Sequence, residues 1–282
     1  MRRANTLPPV ALADDFDGFL IDLDGVVWIG REPVPGSPEA LATLLAAGKQ
    51  IAFVTNNPGR QPAEYAERLG SLGVEVGAER VVTAGMVAAR LAAGAAGAGG
   101  AVFVIGMPAL KKLVAAEGAR VVGVDEAAGA AAVLVSGHRD FDYAELAAAK
   151  RALDGGAALF ATSRDPTLPM PGGELPGTGA VLAAVETASG RRAEIGGKPE
   201  RHLFELALAA IPGAERVAMV GDRLSSDIAG GHAAGLATVL VLSGTSGDGG
   251  PGGGGSGGGS EDLASADPAP DFVVADLAAL LS

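Results

Sequence analysis

Asp22 and Asp24 flank a single leucine at the end of the apolar run 16–23, and Gly25 follows them. Side chains alternate along a strand, so both carboxylates take one side while Leu23 turns back into the packing. Acids so close repel one another unless a cation holds them, and their hard oxygens suit Mg²⁺. Taken alone, Asp-Leu-Asp-Gly also has the composition of a plain turn. Thr55-Asn56-Asn57 ends the run 50–55 just before Pro58. A hydroxyl, two amides and nearby backbone N–H groups can hold phosphate oxygens; a polar turn with an Asn-Pro breaker uses the same residues. Lys198 stands between Gly197 and Pro199, at a helix start from which an ammonium can reach an anion, although a single lysine is more often surface charge. Asp222 ends the apolar run 216–220 and its Gly221, and Asp227 falls in the first turn of the next helix. There the helix dipole favours negative charge, so capping alone would also account for it. Such groups together can hold a divalent cation and phosphate oxygens.

The elements that would carry these residues follow a βα grammar. Short apolar runs at 16–23, 50–55, 101–105, 131–135, 216–220 and 237–242 read as strands of a mostly parallel sheet. Helical patterns lie between them: one begins at Ser37 as N-cap with Pro38 behind it and closes at Gly48, and another opens at Pro62. Further helices are expected over 108–117, 143–153, 180–188 and 200–210, another from about Leu224, and a last strand and helix over 271–280. In an open parallel sheet, ligands bind at the carboxyl ends of strands, which is where Asp22, Asp24, Thr55 and Asp222 fall. Residues 244–260 are almost all Gly and Ser and predict a flexible surface loop. No Gly-x-Gly-x-x-Gly follows the first strand and no Walker sequence occurs.

Composition narrows the function classes. The 282 residues are 48% hydrophobic, enough for a sizeable core, and contain no cysteine, which excludes disulfides, thiolate metal sites and cysteine nucleophiles. A net charge of −12 argues against nucleic acid and anionic membranes as partners. Arg2-Arg3 with the short, proline-interrupted stretch 7–13 makes a poor secretory leader, and no apolar run is long enough to span a bilayer. The expectation is a cytoplasmic protein. Of the three histidines, His202 and His232 fall in helical patterns and read as packing or surface residues, while His138 follows a strand and can face a cleft. Trp28 is expected to pack rather than bind substrate.

The order of the motifs is more specific than any one of them. Phe19-Leu20-Ile21-Asp22-Leu23-Asp24-Gly25-Val26-Val27-Trp28, then Thr55-Asn56-Asn57, then Gly197-Lys198-Pro199-Glu200, then Gly221-Asp222-Arg223 with Asp227-Ile228, resemble the haloacid-dehalogenase superfamily of phosphotransferases over nearly the whole chain. The interval from Asp24 to Thr55 is too short for an inserted domain, whereas that from Thr55 to Lys198 leaves room for one. This resembles the type-II cap of the p-nitrophenyl-phosphatase-like branch, which includes phosphoglycolate and glycerol-3-phosphate phosphatases. The resemblance implies an α/β, doubly wound, mostly parallel core with an inserted α/β cap: core residues 1–82 and 192–282, cap 83–191. It implies Asp22 as nucleophile, Asp24 as acid and base, and Mg²⁺ held by Asp22, the Asp24 carbonyl and Asp222. It further implies Thr55, Asn56, Asn57 and Lys198 around the phosphate, with Asp227 orienting Lys198 or a metal-bound water. Small phosphomonoesters are the implied substrates, and a homodimer through the cap is the implied assembly. Nucleotides, sugar phosphates or pyridoxal phosphate are the alternative substrates, and a catalytically silent metabolite-binding relative is the alternative of another class. The cap segments Ala161-Thr162-Ser163-Arg164-Asp165 and Pro176-Gly177-Thr178-Gly179-Ala180 resemble the branch as well. Many relatives have Asn at Ser163 and an acid near His138, so the cap's substrate contacts stay open.

Overall fold

The computed structural model describes residues 11–170, 173–244 and 266–282. The Gly/Ser-rich run from residue 245 and the first ten residues lie outside the described residues. Among the described residues, no helix is long and apolar enough to cross a membrane.

Six parallel strands form one sheet, in the order Phe272–Val274, Ala237–Val241, Val217–Gly221, Gly18–Asp22, Gln50–Thr55 and Val81–Thr83. The central strand, Gly18–Asp22, is buried throughout. Phe19, Ile21 and then Leu23 enter an apolar layer with Trp28, Leu41 and Tyr65, while Leu20 enters the opposite layer with Val54, Phe204 and Met219. Burial on both faces explains why the strand reads as one apolar run rather than an alternation. Its ends, and those of its neighbours Gln50–Thr55 and Val217–Gly221, converge on one rim.

The chain leaves this sheet through helix Ala84–Ala96 and builds a second sheet, all parallel, in the order Glu194–Ile195, Ala158–Ala161, Ala132–Val135, Ala101–Ile105, Arg120–Val122. The helix joins the two bodies: Ala84 and Val87 pack in a layer of the first sheet, Ala88, Ala89 and Ala92 in a layer of the second. The fold is thus α/β, a doubly wound parallel core with an inserted α/β cap. The cap sheet extends past residue 191, because Glu194 and Ile195 pair with Phe160 and Ala161. An antiparallel hairpin, Thr167–Met170 with Gly173–Pro176, projects from the cap. Its proline-containing four-residue strands carry no periodicity from which the sequence could announce it.

Three local departures from the sequence pattern bear on function. Helix Ser37–Ala46 is preceded by Gly36 at φ 80°, and Ser37 is not its cap. The Ser37 hydroxyl instead donates to the Val26 carbonyl at 2.9 Å, tying the loop after Asp24 to the helix. Residues Leu224–Ile228 form a π-turn before the α-helix Ala229–Ala233, so the expected helix begins as a wider coil. Such turns re-aim single side chains at functional sites. The carboxyl-terminal helix is a 3₁₀ segment, Leu277–Leu281.

In the cap, Glu186 accepts from Arg164 at 2.9 and 3.1 Å, from Arg192 at 2.6 Å and from the Ala193 N–H at 2.9 Å. Burial alone would raise this carboxyl, but Arg164, the Ala193 N–H and Arg192 outweigh it and bring it to about 2. A lowered carboxyl stabilises the fold above its unfolded value of 4.5, and that contribution disappears as pH falls from there toward 2. Glu186→Gln is therefore expected to cost about 2 kcal/mol at neutral pH, allowing for the solvent around Arg192. In urea unfolding, the gap between variant and wild type should close below pH 4.5; a gap independent of pH would disprove the assignment.

Candidate active site

Asp22, Asp222 and Asp227 come together at the rim, each offering a carboxylate oxygen within 4.8 Å of the others, and all three are buried. Lys198 lies among them with its side chain 2% exposed, its Nζ 2.7 Å from Asp22 Oδ1 and 2.6 Å from Asp227 Oδ1. Burial works against its ammonium, yet the two carboxylates overcome that and raise it above the ordinary 10.5, so Lys198 is cationic. Burial likewise raises Asp22, reinforced by Asp227 and Asp222 and opposed by Lys198. Burial also disfavours the Arg223 cation, and the carboxylates of Asp222, Asp165 and Asp227 restore it.

Three buried carboxylates against the Lys198 ammonium and the nearby Arg223 guanidinium still leave an excess of negative charge that a divalent cation would offset. The donors are all hard oxygens, the set that Mg²⁺ takes. The residues present therefore fit the metal. Bare backbone surrounds them. A Cβ at Gly25 (φ 94°) or at Gly244 would overlap the Asp222 carboxylate, and one at Gly221 would overlap Asp227.

The π-turn sets the position of Asp227. The Ile228 N–H reaches back to the Arg223 carbonyl at 3.2 Å, and the Arg223 N–H donates to Asp227 Oδ2 at 3.0 Å, leaving Oδ1 for Lys198.

The Asp24 side chain turns away from the three-acid cluster. It accepts from Trp28 Nε1 at 3.1 Å, from Asn57 Nδ2 at 3.3 Å and, weakly, from Thr55 Oγ1 at 3.5 Å. Trp28 does pack, stacked on Tyr65 at 6.3 Å with Arg68 3.8 Å above its ring. Its indole also aims Asp24, a role the sequence did not suggest. Thr55 is buried and its hydroxyl accepts from the Asn57 N–H at 3.0 Å.

Asn57 serves the loop: Oδ1 accepts from the Gly59 N–H at 3.0 Å and its carbonyl from Tyr65 Oη at 2.8 Å. The Asn56 amide binds the Lys198 peptide and Asp165. Of Asn56, only the backbone is free to face a phosphate. Asp165 escaped the sequence reading as a site residue, although it lies in a cap segment whose pattern stands out.

A cavity of about 1090 Å³ separates core and cap. Asp22, Asp24, Thr55, Lys198 and Arg223 line it from the core, and Ser136, His138, Phe141, Leu168 and Leu175 from the cap. His138 Nε2 lies 2.8 Å from Glu145 Oε2, which fixes the ring at the cavity wall. His202, by contrast, is near Glu194 and Glu205 on an exposed surface.

Comparison with known proteins places this geometry among phosphatases. A family model for haloacid dehalogenase-like hydrolases matches residues 19–120, and a second model of the same kind matches 195–280. Human chronophin is 42% identical over 262 residues, covering 87% of this chain and 88% of chronophin. Human glycerol-3-phosphate phosphatase is 37% identical, covering 96% of this chain and 92% of its own. The crystal structure of a glycerol phosphate phosphatase from Mycobacterium tuberculosis in complex with magnesium superposes with a TM-score of 0.83 at 36% identity, covering 97% of this chain and 78% of the other.

Proposed function

Since this chain belongs to the haloacid dehalogenase-like hydrolase family, we propose that it removes phosphate from small metabolites through Asp22, with glycerol 3-phosphate and 2-phosphoglycolate as the leading substrates. It is a phosphoric monoester hydrolase, and Mg²⁺ is its cofactor. The observation that carries the residue assignments is Lys198, buried between Asp22 and Asp227 beside Asp222, at the floor of the cavity.

Unaided phosphate monoester hydrolysis is slow enough that the site must remove on the order of 20 kcal/mol of barrier. Dividing the displacement in two is the first contribution. An Asp22 oxygen attacks phosphorus, the bond to the leaving oxygen breaks, and Asp24 gives its proton to the departing alkoxide. Asp24 then takes a proton from the water that attacks the aspartyl-phosphate, which releases inorganic phosphate and returns Asp22. Trp28 and Asn57 hold Asp24 toward the leaving group, and Thr55, the Asn56 backbone and Lys198 hold the phosphoryl oxygens. Mg²⁺, when bound by Asp22, Asp222 and the Asp24 carbonyl, offsets charge between nucleophile and phosphoryl group. Asp227 keeps Lys198 in place.

The division into core (1–82 and 192–282) and cap (83–191) belongs to the same reading, with Glu194–Ile195 as a strand of the junction. So do a cap-mediated homodimer, which sedimentation would test, and a cytoplasmic setting, since charged phosphate esters do not cross a bilayer unaided.

Larger leaving groups form a second reading, which the cavity favours. Its volume reaches the upper end of ordinary ligand sites, and Phe141, Leu168 and Leu175 offer it apolar wall. Phosphate release across about a hundred phosphometabolites, among them nucleotides, sugar phosphates and pyridoxal phosphate, separates the two. Failure to hydrolyse any of them, p-nitrophenyl phosphate included, with Mg²⁺ present would end the enzymatic reading and favour a silent binding protein.

His138 lines the cap side of the cavity and would contact the leaving group. His138→Ala is expected to raise KM for the best substrate about tenfold and to leave kcat nearly unchanged, as for a contact made equally in ground and transition states. A loss confined to kcat would remove it from the leaving-group end.

A further inference from the structure

The Asn56 side chain joins three segments that are far apart in sequence. Its Oδ1 accepts from the Lys198 N–H at 2.8 Å, and its Nδ2 donates to the Lys198 carbonyl at 3.1 Å and to Asp165 Oδ2 at 2.9 Å. A primary amide has two N–H groups, so both donors are in use. The Lys198 peptide is thereby clamped on its two sides by one side chain, and that side chain is held by a carboxylate from the cap. Nothing lies between the parts: a Cβ on Gly197 would overlap both the Thr162 carbonyl and Asn56 Oδ1.

Asp165 is itself well fixed. Its N–H donates to Ser163 Oγ at 3.3 Å, its carbonyl accepts from the Gly179 N–H at 2.8 Å, and the adjacent Arg164 is held by Glu186. A side chain added at Gly179 would overlap the Arg164 carbonyl. The loop that presents Asp165 is thus built against the start of helix Thr178–Ser189 rather than draped over the site.

We propose that Asp165 is a cap-borne positioning residue for Lys198. By accepting from Asn56 it orients the amide that clamps the Lys198 peptide, so the ammonium meets Asp22 and Asp227 when the cap is seated on the core. The expected effect on turnover rests on the phosphatase reading; the expected effect on Lys198 does not. Cap and core are then coupled through a chain of three hydrogen-bonded residues, Asp165, Asn56 and Lys198. A substrate that holds the cap down completes the phosphate site as it does so.

The test compares Asp165→Ala, which removes the acceptor, with Asp165→Asn, which keeps a carbonyl oxygen for the Asn56 donor. With p-nitrophenyl phosphate, D165A is expected to lower kcat about 10- to 100-fold, the usual range for a residue that orients a site residue, with KM within threefold. D165N should stay within about threefold of wild type in kcat. The second readout does not involve turnover. Acetylation of Lys198 by acetic anhydride, followed by peptide mass spectrometry, should be slow in wild type and D165N and about tenfold faster in D165A. Should D165A fail to fold, Asp165→Leu fills a similar space without an acceptor and is expected to give the same pattern. Wild-type kcat and Lys198 labelling in D165A, or equal impairment of D165N and D165A, would overturn the proposal. If wild type releases no phosphate from any ester, the phosphatase reading falls, and the labelling comparison still decides the role of Asp165.

Discussion

Asp22→Asn is expected to lower turnover of p-nitrophenyl phosphate by about 10⁴-fold or more, the scale on which loss of a nucleophile is felt, while the protein stays folded. The amide matches the carboxylate in shape but has no charged oxygen to attack phosphorus. Structurally the change is mild. Burial, Asp227 and Asp222 all disfavour the Asp22 anion, so a neutral group removes repulsion even as it weakens one partner of Lys198. Lys198 retains Asp227 at 2.6 Å. The thermal midpoint without metal should therefore remain within a few degrees of wild type. Acid-quenched reactions with phosphorus-labelled substrate should show a protein-bound phosphoryl group in wild type and none in D22N. Turnover within tenfold of wild type would exclude the covalent route.

Lys198→Met should have the second largest effect, and on two properties at once. Removing the ammonium takes from Asp22 and Asp227 the cation that lies 2.7 and 2.6 Å from their oxygens, in a cluster whose three carboxylates lie within 4.8 Å of one another. Loss of one partner of a buried ion pair costs about 3–5 kcal/mol, and the loss of one electrostatic contact to a developing charge costs about 10²–10³-fold in rate. Unfolding in EDTA should show the full stability loss. Mg²⁺ should recover part of it, because a cation that binds only the folded state stabilises it by mass action.

The pH dependence follows from the direction of the shift. Lys198 is held above its ordinary 10.5, so its contribution is fully present below that value and is lost only as pH rises through the higher folded value. Lys198 also holds Asp22 down, so in K198M the Asp22 carboxyl takes up a proton more readily, and the gap between K198M and wild type should narrow as pH falls from about 9. Equal stability in EDTA would show that the carboxylates are compensated by something other than Lys198.

The rim was legible where its residues lie at or just after the ends of strands, as Asp22, Asp24, Thr55 and Asp222 do. An apolar run that stops at an acid and a glycine, as at Asp22-Leu23-Asp24-Gly25, states both the element and the point where its side chains become available. What was not legible depends on contacts between distant segments. Asn56 reads as a phosphate ligand from its neighbours in sequence, yet the Lys198 peptide and Asp165 claim its amide, and neither is near it along the chain. Ser37 reads as a helix cap but donates to Val26. Asp227 reads as a first-turn acid of an α-helix; the wider π-turn that aims it at Lys198 leaves no mark in composition. The second sheet's short strands, such as Glu194–Ile195, are set by pairing with Ala158–Ala161 rather than by pattern.

The glycines that crowd the acid cluster divide the molecule into a part that can diversify and a part that cannot. With backbone atoms pressed against Asp222 and Asp227 at Gly25, Gly221 and Gly244, even a methyl group has no room there. Across the cavity, Phe141, Leu168 and Leu175 line the cap side and are only partly buried, so their size and polarity have more room to change. A library aimed at new substrates belongs on that ceiling, and one aimed at the floor would mostly yield inactive or unfolded chains.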